Sequence, residues 1–215
     1  MCVICCHLAS GKEHCKKRNE NYHKIIQKLT FPEINTRHHT SQTSNLSSSS
    51  AATTATTSSN DSMPDTEPLF TTKKSSTFGG KPKGTPILDN DAIIFFGDMN
   101  YRLEFDTFEE VKEMINERKW TKLLQGDQLL MERNCGNVFD GFKESLINFR
   151  PSYKFLPTTN DYDEVKKKKI PAWCDRILWT TTQRQKTMKC VMYDIIMEQK
   201  MSDHKPVFAL FEFEW

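Results

Sequence analysis

The chain has 215 residues, which at roughly 150 residues per domain allows one domain with an appendage and excludes two full ones. Hydrophobic residues make up 37%, and 30 basic against 28 acidic residues leave a formal charge of +2, so no whole-chain field marks a nucleic-acid or membrane binder. No run approaches the roughly 18 apolar residues of a membrane span, and Met1 precedes Cys-Val-Ile-Cys-Cys rather than a basic leader, which predicts a cytoplasmic chain with reduced thiols.

The seven cysteines, odd in number and crowded into residues 2–15 before scattering, do not read as a disulfide framework. Cys2, Cys5, Cys6, His7, His14 and Cys15 lack the second well-spaced pair of a zinc knuckle, so the cysteines read as buried strand residues. Residues 2–9 form a short apolar run that predicts a strand buried on both faces. Tyr22, Ile25, Ile26 and Leu29 recur at helical spacing and predict an amphipathic helix over 16–29, stopped by Pro32. From Thr36 to Pro86, 23 of 51 residues are Ser or Thr, the composition of a disordered insertion inside one domain. The organisation predicted is 1–35 for the first strand and helix, 36–86 for the insertion, and 87–215 for the rest.

After the insertion, Ala92-Ile93-Ile94-Phe95-Phe96 is a continuous apolar run closed by Gly97-Asp98, the pattern of a central strand in an α/β sheet. Thr107 with Glu110 makes a capping box for a helix carrying Val111, Met114 and Ile115, and a second helix is expected around Thr121–Met131. The last third reads as strands at Tyr153–Leu156, Arg176–Thr181, Lys189–Met197 and Val207–Phe213. The fold class predicted is a layered α/β sandwich.

Asp98 and Asn100 flank Met99 where the strand from Ala92 ends, at the sheet edge where α/β ligands bind. Asp175 opens one strand, and Asp203-His204 precedes another, so three Asp-bearing loops converge on one polar pocket. Asp175 is the expected orienter of His204, because a carboxylate on one ring nitrogen fixes the tautomer and raises basicity. Arg102, Arg150, Lys154 and the run 166–169 are expected at the same edge.

These segments resemble the inositol polyphosphate 5-phosphatase family, within the endonuclease/exonuclease/phosphatase superfamily. Phe96-Gly97-Asp98-Met99-Asn100-Tyr101-Arg102-Leu103 and Pro171-Ala172-Trp173-Cys174-Asp175-Arg176-Ile177-Leu178-Trp179 are similar to its two signature motifs, and Ser202-Asp203-His204-Lys205-Pro206-Val207 to its closing one. Cys6-His7-Leu8-Ala9 with Lys17-Arg18-Asn19 resembles its histidine-bearing strand and the helix that follows. Pro151-Ser152-Tyr153-Lys154-Phe155 resembles its substrate-reading strand. Residues around Tyr101–Glu104 and Asp127–Leu129 look most like the type II subgroup.

The resemblance implies magnesium-dependent hydrolysis of the 5-phosphate of phosphoinositides or inositol phosphates by direct water attack, at a peripheral membrane contact and without nucleic acid. Asp98 would take the water's proton, Asn100 would hold the water or a phosphoryl oxygen, and His204, oriented by Asp175, would stabilise developing charge together with His7. Asp203 would lie near Mg2+. Arg102, Tyr153, Lys154, Lys167, Lys169 and Arg176 would bind substrate, Lys169 standing where the family usually has Arg. The resemblance also places the family's main metal carboxylate, a Glu, upstream of the His7 strand, so the sandwich is expected to be incomplete at its N-terminus and turnover impaired. The alternative reading is a non-catalytic phosphoinositide-binding module. A nuclease on the same scaffold would need a basic groove with aromatic stacking positions, which the two short basic clusters do not supply.

Overall fold

The computed structural model describes residues 1–32, 84–165, 169–182 and 187–214. Most of the predicted insertion lies outside the described residues, as does Lys167. Ordered pairing resumes at Thr85, two residues before the boundary read from composition, where a short strand pairs Thr85–Pro86 with Thr30–Phe31. Numbered in chain order, these are β3 and β2.

Strand β1 (Cys2–His7) runs parallel to β4 (Ala92–Asp98), and β4 is antiparallel to β5 (Asp175–Thr181), giving the order β1-β4-β5 with β4 central. Helix α1 (Cys15–Lys28) leads out of β1 and turns Tyr22, Ile25 and Ile26 into a core with Ile93, Phe95, Phe139 and Leu178. Tyr22 and Phe139 approach to 4.2 Å between ring centres, and Phe95 meets Phe139 edge-on at 5.0 Å. A second layer is the antiparallel pair β6 (Thr187–Ile195) and β7 (Val207–Glu214), with a bulge between Cys190 and Met192. It packs Met188, Phe211 and Phe213 against Ala92, Ile94 and Trp179 of the first sheet. Helices α2 (Phe108–Asn116), α3 (Trp120–Leu124) and α4 (Gln128–Asn134) complete the α/β layering. Thr107 caps α2 as expected, its hydroxyl accepting the Glu110 N–H at 3.2 Å.

Three local expectations are corrected. Strand β1 is not buried on both faces: it has one hydrogen-bonded neighbour among the described residues, and it alternates, with Cys2 and Ile4 turned inward and Val3 and Cys5 exposed. The single helix expected over 121–131 is two, because the chain between them pairs with 102–104 instead: the Gly126 carbonyl accepts the Glu104 N–H at 2.8 Å and the Gln128 N–H donates to the Arg102 carbonyl at 2.9 Å. Asp127 then restarts the chain as α4 by accepting the Leu130 N–H at 2.9 Å. The segment from Tyr153 to Leu156 makes isolated bridges, Tyr153 with Ala172 and His204, and Phe155 with Tyr162, rather than a strand. Among the described residues the cysteines gather no metal-ligating group, and no helix is long and apolar enough to cross a membrane.

Candidate active site

The alignment of the three strands builds the site. His7, Asp98 and Asp175 are direct cross-strand partners, so they form one row across the sheet and project to one face. Gly97 makes this possible: its φ is +133°, and a Cβ would meet the Cys6 carbonyl oxygen of β1 at 2.1 Å. His7 Nε2 stands 3.3 Å from Asp98 Oδ2.

His204 closes the row from the loop before β7. Its Nδ1 lies 2.9 Å from Asp175 Oδ2, the pairing expected from sequence, and its Nε2 points back toward Asp98 Oδ2 at 4.0 Å. Ser152, fully buried, donates its hydroxyl to the same Asp175 oxygen at 2.6 Å. Sequence reading missed it. Ser152 sits inside the Pro-Ser-Tyr-Lys segment, but nothing in that segment reveals where a buried hydroxyl points.

Burial, and then the charge of Asp175, push the Asp98 carboxyl above the usual aspartate range, against the opposing influence of His204, His7 and the Asn100 N–H. Burial works against protonation of His204, but the hydrogen bond to Asp175 and the charges of Asp175, Asp98 and Asp203 outweigh it, so its pKa is raised. Asp98 and His204 therefore both hold a proton more tightly than an isolated side chain of their type.

Asn100 is buried in a left-handed backbone conformation, φ 56°. Its N–H caps Asp98 Oδ1 at 2.9 Å, its Nδ2 donates to the Leu8 carbonyl at 3.1 Å, and its Oδ1 accepts from Arg102. One amide hydrogen is left for a ligand. Arg102 also covers the Tyr153 ring at 4.5 Å, and that ring lies 4.6 Å from the His204 imidazole. Lys154 Nζ donates to Asp203 Oδ2 at 2.6 Å. Burial disfavours the Asp203 carboxylate, yet this bond and the ammonium charge hold its pKa below the usual range.

His7, Asp98, Asn100, Arg102, Tyr153, Lys169, Asp203 and His204 line one cleft of about 530 Å³. The loop Ser10, Gly11, Lys12 and Glu13, which sequence reading did not place at the site, also lines this cleft. Buried Arg18 secures that loop by donating to the carbonyls of Ala9 and Gly11, and Gln128 Nε2 donates to that of Lys12.

Arg176 is a correction. It is 1% exposed and outside the cleft, its guanidinium spent on Asp127 at 2.9 and 3.0 Å and on Glu144 at 2.7 and 2.8 Å. It lies next to Asp175 in sequence, but alternation on β5 sends it through the opposite face of the sheet. Arg150 likewise lines a different cleft.

Oxygens of Asp98 and Asp175 and a nitrogen of His204 lie within 4.8 Å of one another, the one group of potential metal ligands among the described residues. Two hard carboxylates suit a divalent cation that keeps several waters. The mutual repulsion of the two acids, with Asp98 half-buried, is what such an ion would relieve.

An α/β sandwich that sets acids and imidazoles in one row at a sheet edge is the class of site that this fold and geometry define. The profile described as Endonuclease/Exonuclease/phosphatase family 2 matches residues 1–210, and the chain belongs to that family. It is 34% identical over 227 residues to type I inositol polyphosphate 5-phosphatase 13 of Arabidopsis thaliana, covering 98% of this chain and 18% of the relative. It is 30% identical over 212 residues to the type II inositol 1,4,5-trisphosphate 5-phosphatase of Mus musculus, covering 99% and 16%. Among solved structures it is similar to the inositol polyphosphate 5-phosphatase domain of SPsynaptojanin, determined with inositol (1,4)-bisphosphate and calcium ion. There the TM-score is 0.67 at 27% identity, over 95% of this chain and 44% of that one. The chain thus spans less than half the length of the proteins it matches.

Proposed function

We propose that the chain carries the chemistry of an inositol polyphosphate 5-phosphatase, hydrolysing the 5-phosphate of a phosphoinositide or soluble inositol polyphosphate with Mg2+. The observation that carries this reading is the His204 Nε2 and Asp98 carboxylate pair, held 4.0 Å apart over the cleft with Asp175 behind the imidazole. Binding alone requires no such base and no such orienting carboxylate, which disfavours a purely non-catalytic module.

Asp98 takes the proton of the attacking water, whose position the remaining Asn100 amide hydrogen helps to fix. His204, protonated and turned by Asp175 and Ser152, donates Nε2–H to the phosphoryl oxygen on which charge builds, and His7 donates from the other end of the row. Asp98 and Asp175 would hold the cation, with Asp203 at the same cleft. When bound, Mg2+ polarises the phosphate and eases departure of the inositol oxygen. Tyr153, Lys154 and Lys169 present hydrogen-bond donors to a neighbouring phosphate. Lys154 reaches it already paired with Asp203, so the headgroup competes with a carboxylate for this ammonium. The enzyme works in the cytoplasm, at the surface of a membrane that bears the lipid.

The test is Mg2+-dependent phosphate release from short-chain PtdIns(4,5)P2 and from Ins(1,4,5)P3. Release is slow for the 215-residue chain tested alone and rises by on the order of 10²–10³-fold in a longer polypeptide that supplies the Glu-bearing segment implied by the resemblance. His204→Ala in that longer protein lowers kcat by at least about 10². Release unaffected by His204→Ala and Asp98→Ala would overturn the proposal.

A further inference from the structure

A second cleft, of about 410 Å³, opens between the end of α2, the start of α3, the segment 148–150 and the end of β6. Its lining includes Trp120, Phe149, Arg118, Arg150, Asn116 and Asn148. The state of its arginines sets it apart. Arg18, Arg102, Arg133 and Arg176 each donate to a protein acceptor. Arg118 and Arg150 donate to none among the described residues, and both open onto this one cleft; Arg150 only rests its guanidinium 5.8 Å from the Tyr162 ring centre. The amides of Asn116 and Asn148 are equally uncommitted among the described residues. The cleft's carboxylate, Asp194, accepts the Ile195 N–H at 2.7 Å and makes no ion pair with either arginine.

Two unpaired guanidinium forks and two amides around one opening offer more donors than the two oxygens of a carboxylate can take up. They match the tetrahedral oxygens of a phosphate monoester, which guanidinium groups grip bidentately. The fold also ties the cleft to the site above. Trp120 packs edge-on against Trp173 at 6.3 Å, and Trp173 Nε1 donates to the Phe149 carbonyl at 3.0 Å. Asp175 lies two residues beyond Trp173, and Ser152, which donates to it, lies two beyond Arg150. We propose that this cleft is a separate binding site for a phosphate monoester, gripped by Arg118 and Arg150. The ligand is either a free phosphorylated solute or a lipid headgroup. The claim is independent of whether the first cleft hydrolyses anything.

The test follows the Trp120 indole N–H of the ¹⁵N-labelled full chain, identified by its loss in Trp120→Phe, while inorganic phosphate is titrated in. Parallel titrations use phosphatidylcholine vesicles with and without a phosphoinositide. The resonance shifts and saturates, and Arg118→Gln with Arg150→Gln weakens the affinity at least about tenfold, as expected for two charge-assisted contacts. Saturation by inorganic phosphate assigns a free solute, whereas a response confined to phosphoinositide vesicles assigns the lipid. If the double variant does not fold by near-ultraviolet circular dichroism, Arg118→Gln alone, at an exposed side chain, carries the measurement. A Trp120 signal that no probe moves, or that moves equally in the variants, overturns the site while leaving the reading of the first cleft untouched.

Discussion

Asp175 acts on both members of the proposed acid–base pair, and its effects on them have the same sign. It raises His204 by stabilising the imidazolium, and it raises Asp98 by repelling a second negative charge. Activity that needs ionised Asp98 is lost as pH falls through its elevated pKa, and activity that needs protonated His204 is lost as pH rises through its own. In Asp175→Asn both limbs of the pH–rate profile therefore move toward acid, alongside a fall in kcat. Limbs that stay in place or move apart would contradict the geometry. Ser152→Ala leaves Asp175 with one donor fewer and lowers kcat with little change in KM, readable from steady-state kinetics. Arg176 belongs to a different ledger. Arg176→Met strands Asp127, whose side chain is 0% exposed, without a counter-charge and leaves the buried Glu144 with Arg133 alone. It should cost about 3–5 kcal/mol in denaturant unfolding. The convergence of Asp98, Asn100, Asp175 and His204 was legible in the sequence because each stands at a strand end inside a specific motif. The fate of Arg176 was not, since its partners come from a helix cap and a loop tens of residues away.

At the level of elements, runs rich in apolar residues located β1, β4, β5, β6 and β7 to within about two residues, although only β4 and β5 are largely buried. What periodicity cannot register is contact between segments. The break between α3 and α4 comes from the backbone pairing of 126–128 with 102–104, and the extended segment at Tyr153 is held by single bridges to Ala172 and His204 rather than by a ladder. The same kind of contact makes Gly97 decisive. Gly97→Ala places a methyl group against the β1 backbone at a φ that side chains avoid, and should destabilise the protein by on the order of 3 kcal/mol. Thermal unfolding measures that loss. A neutral outcome would mean that β1 and β4 are not as close as described.

Across the whole molecule, the two sheets cover each other at Trp179, Met188 and Phe211 but leave apolar side chains outward on both layers: Val3 on β1, and the paired Met192 and Leu210 on β6 and β7, are each about half exposed. Exposed edges and apolar strand faces favour association between chains. Met192→Lys with Leu210→Glu should therefore reduce concentration-dependent self-association of the 215-residue chain in sedimentation velocity. Unchanged association would assign it to another surface. Because His7, Asp98 and Asp175 come from three different strands, a shift of β4 by one residue would turn Asp98 to the far side of the sheet while keeping nearly every backbone hydrogen bond. Turnover would then vanish from a molecule whose far-ultraviolet spectrum looked intact. Enzymatic assay is thus a finer gauge of whether this sheet has zipped correctly than any measure of secondary-structure content.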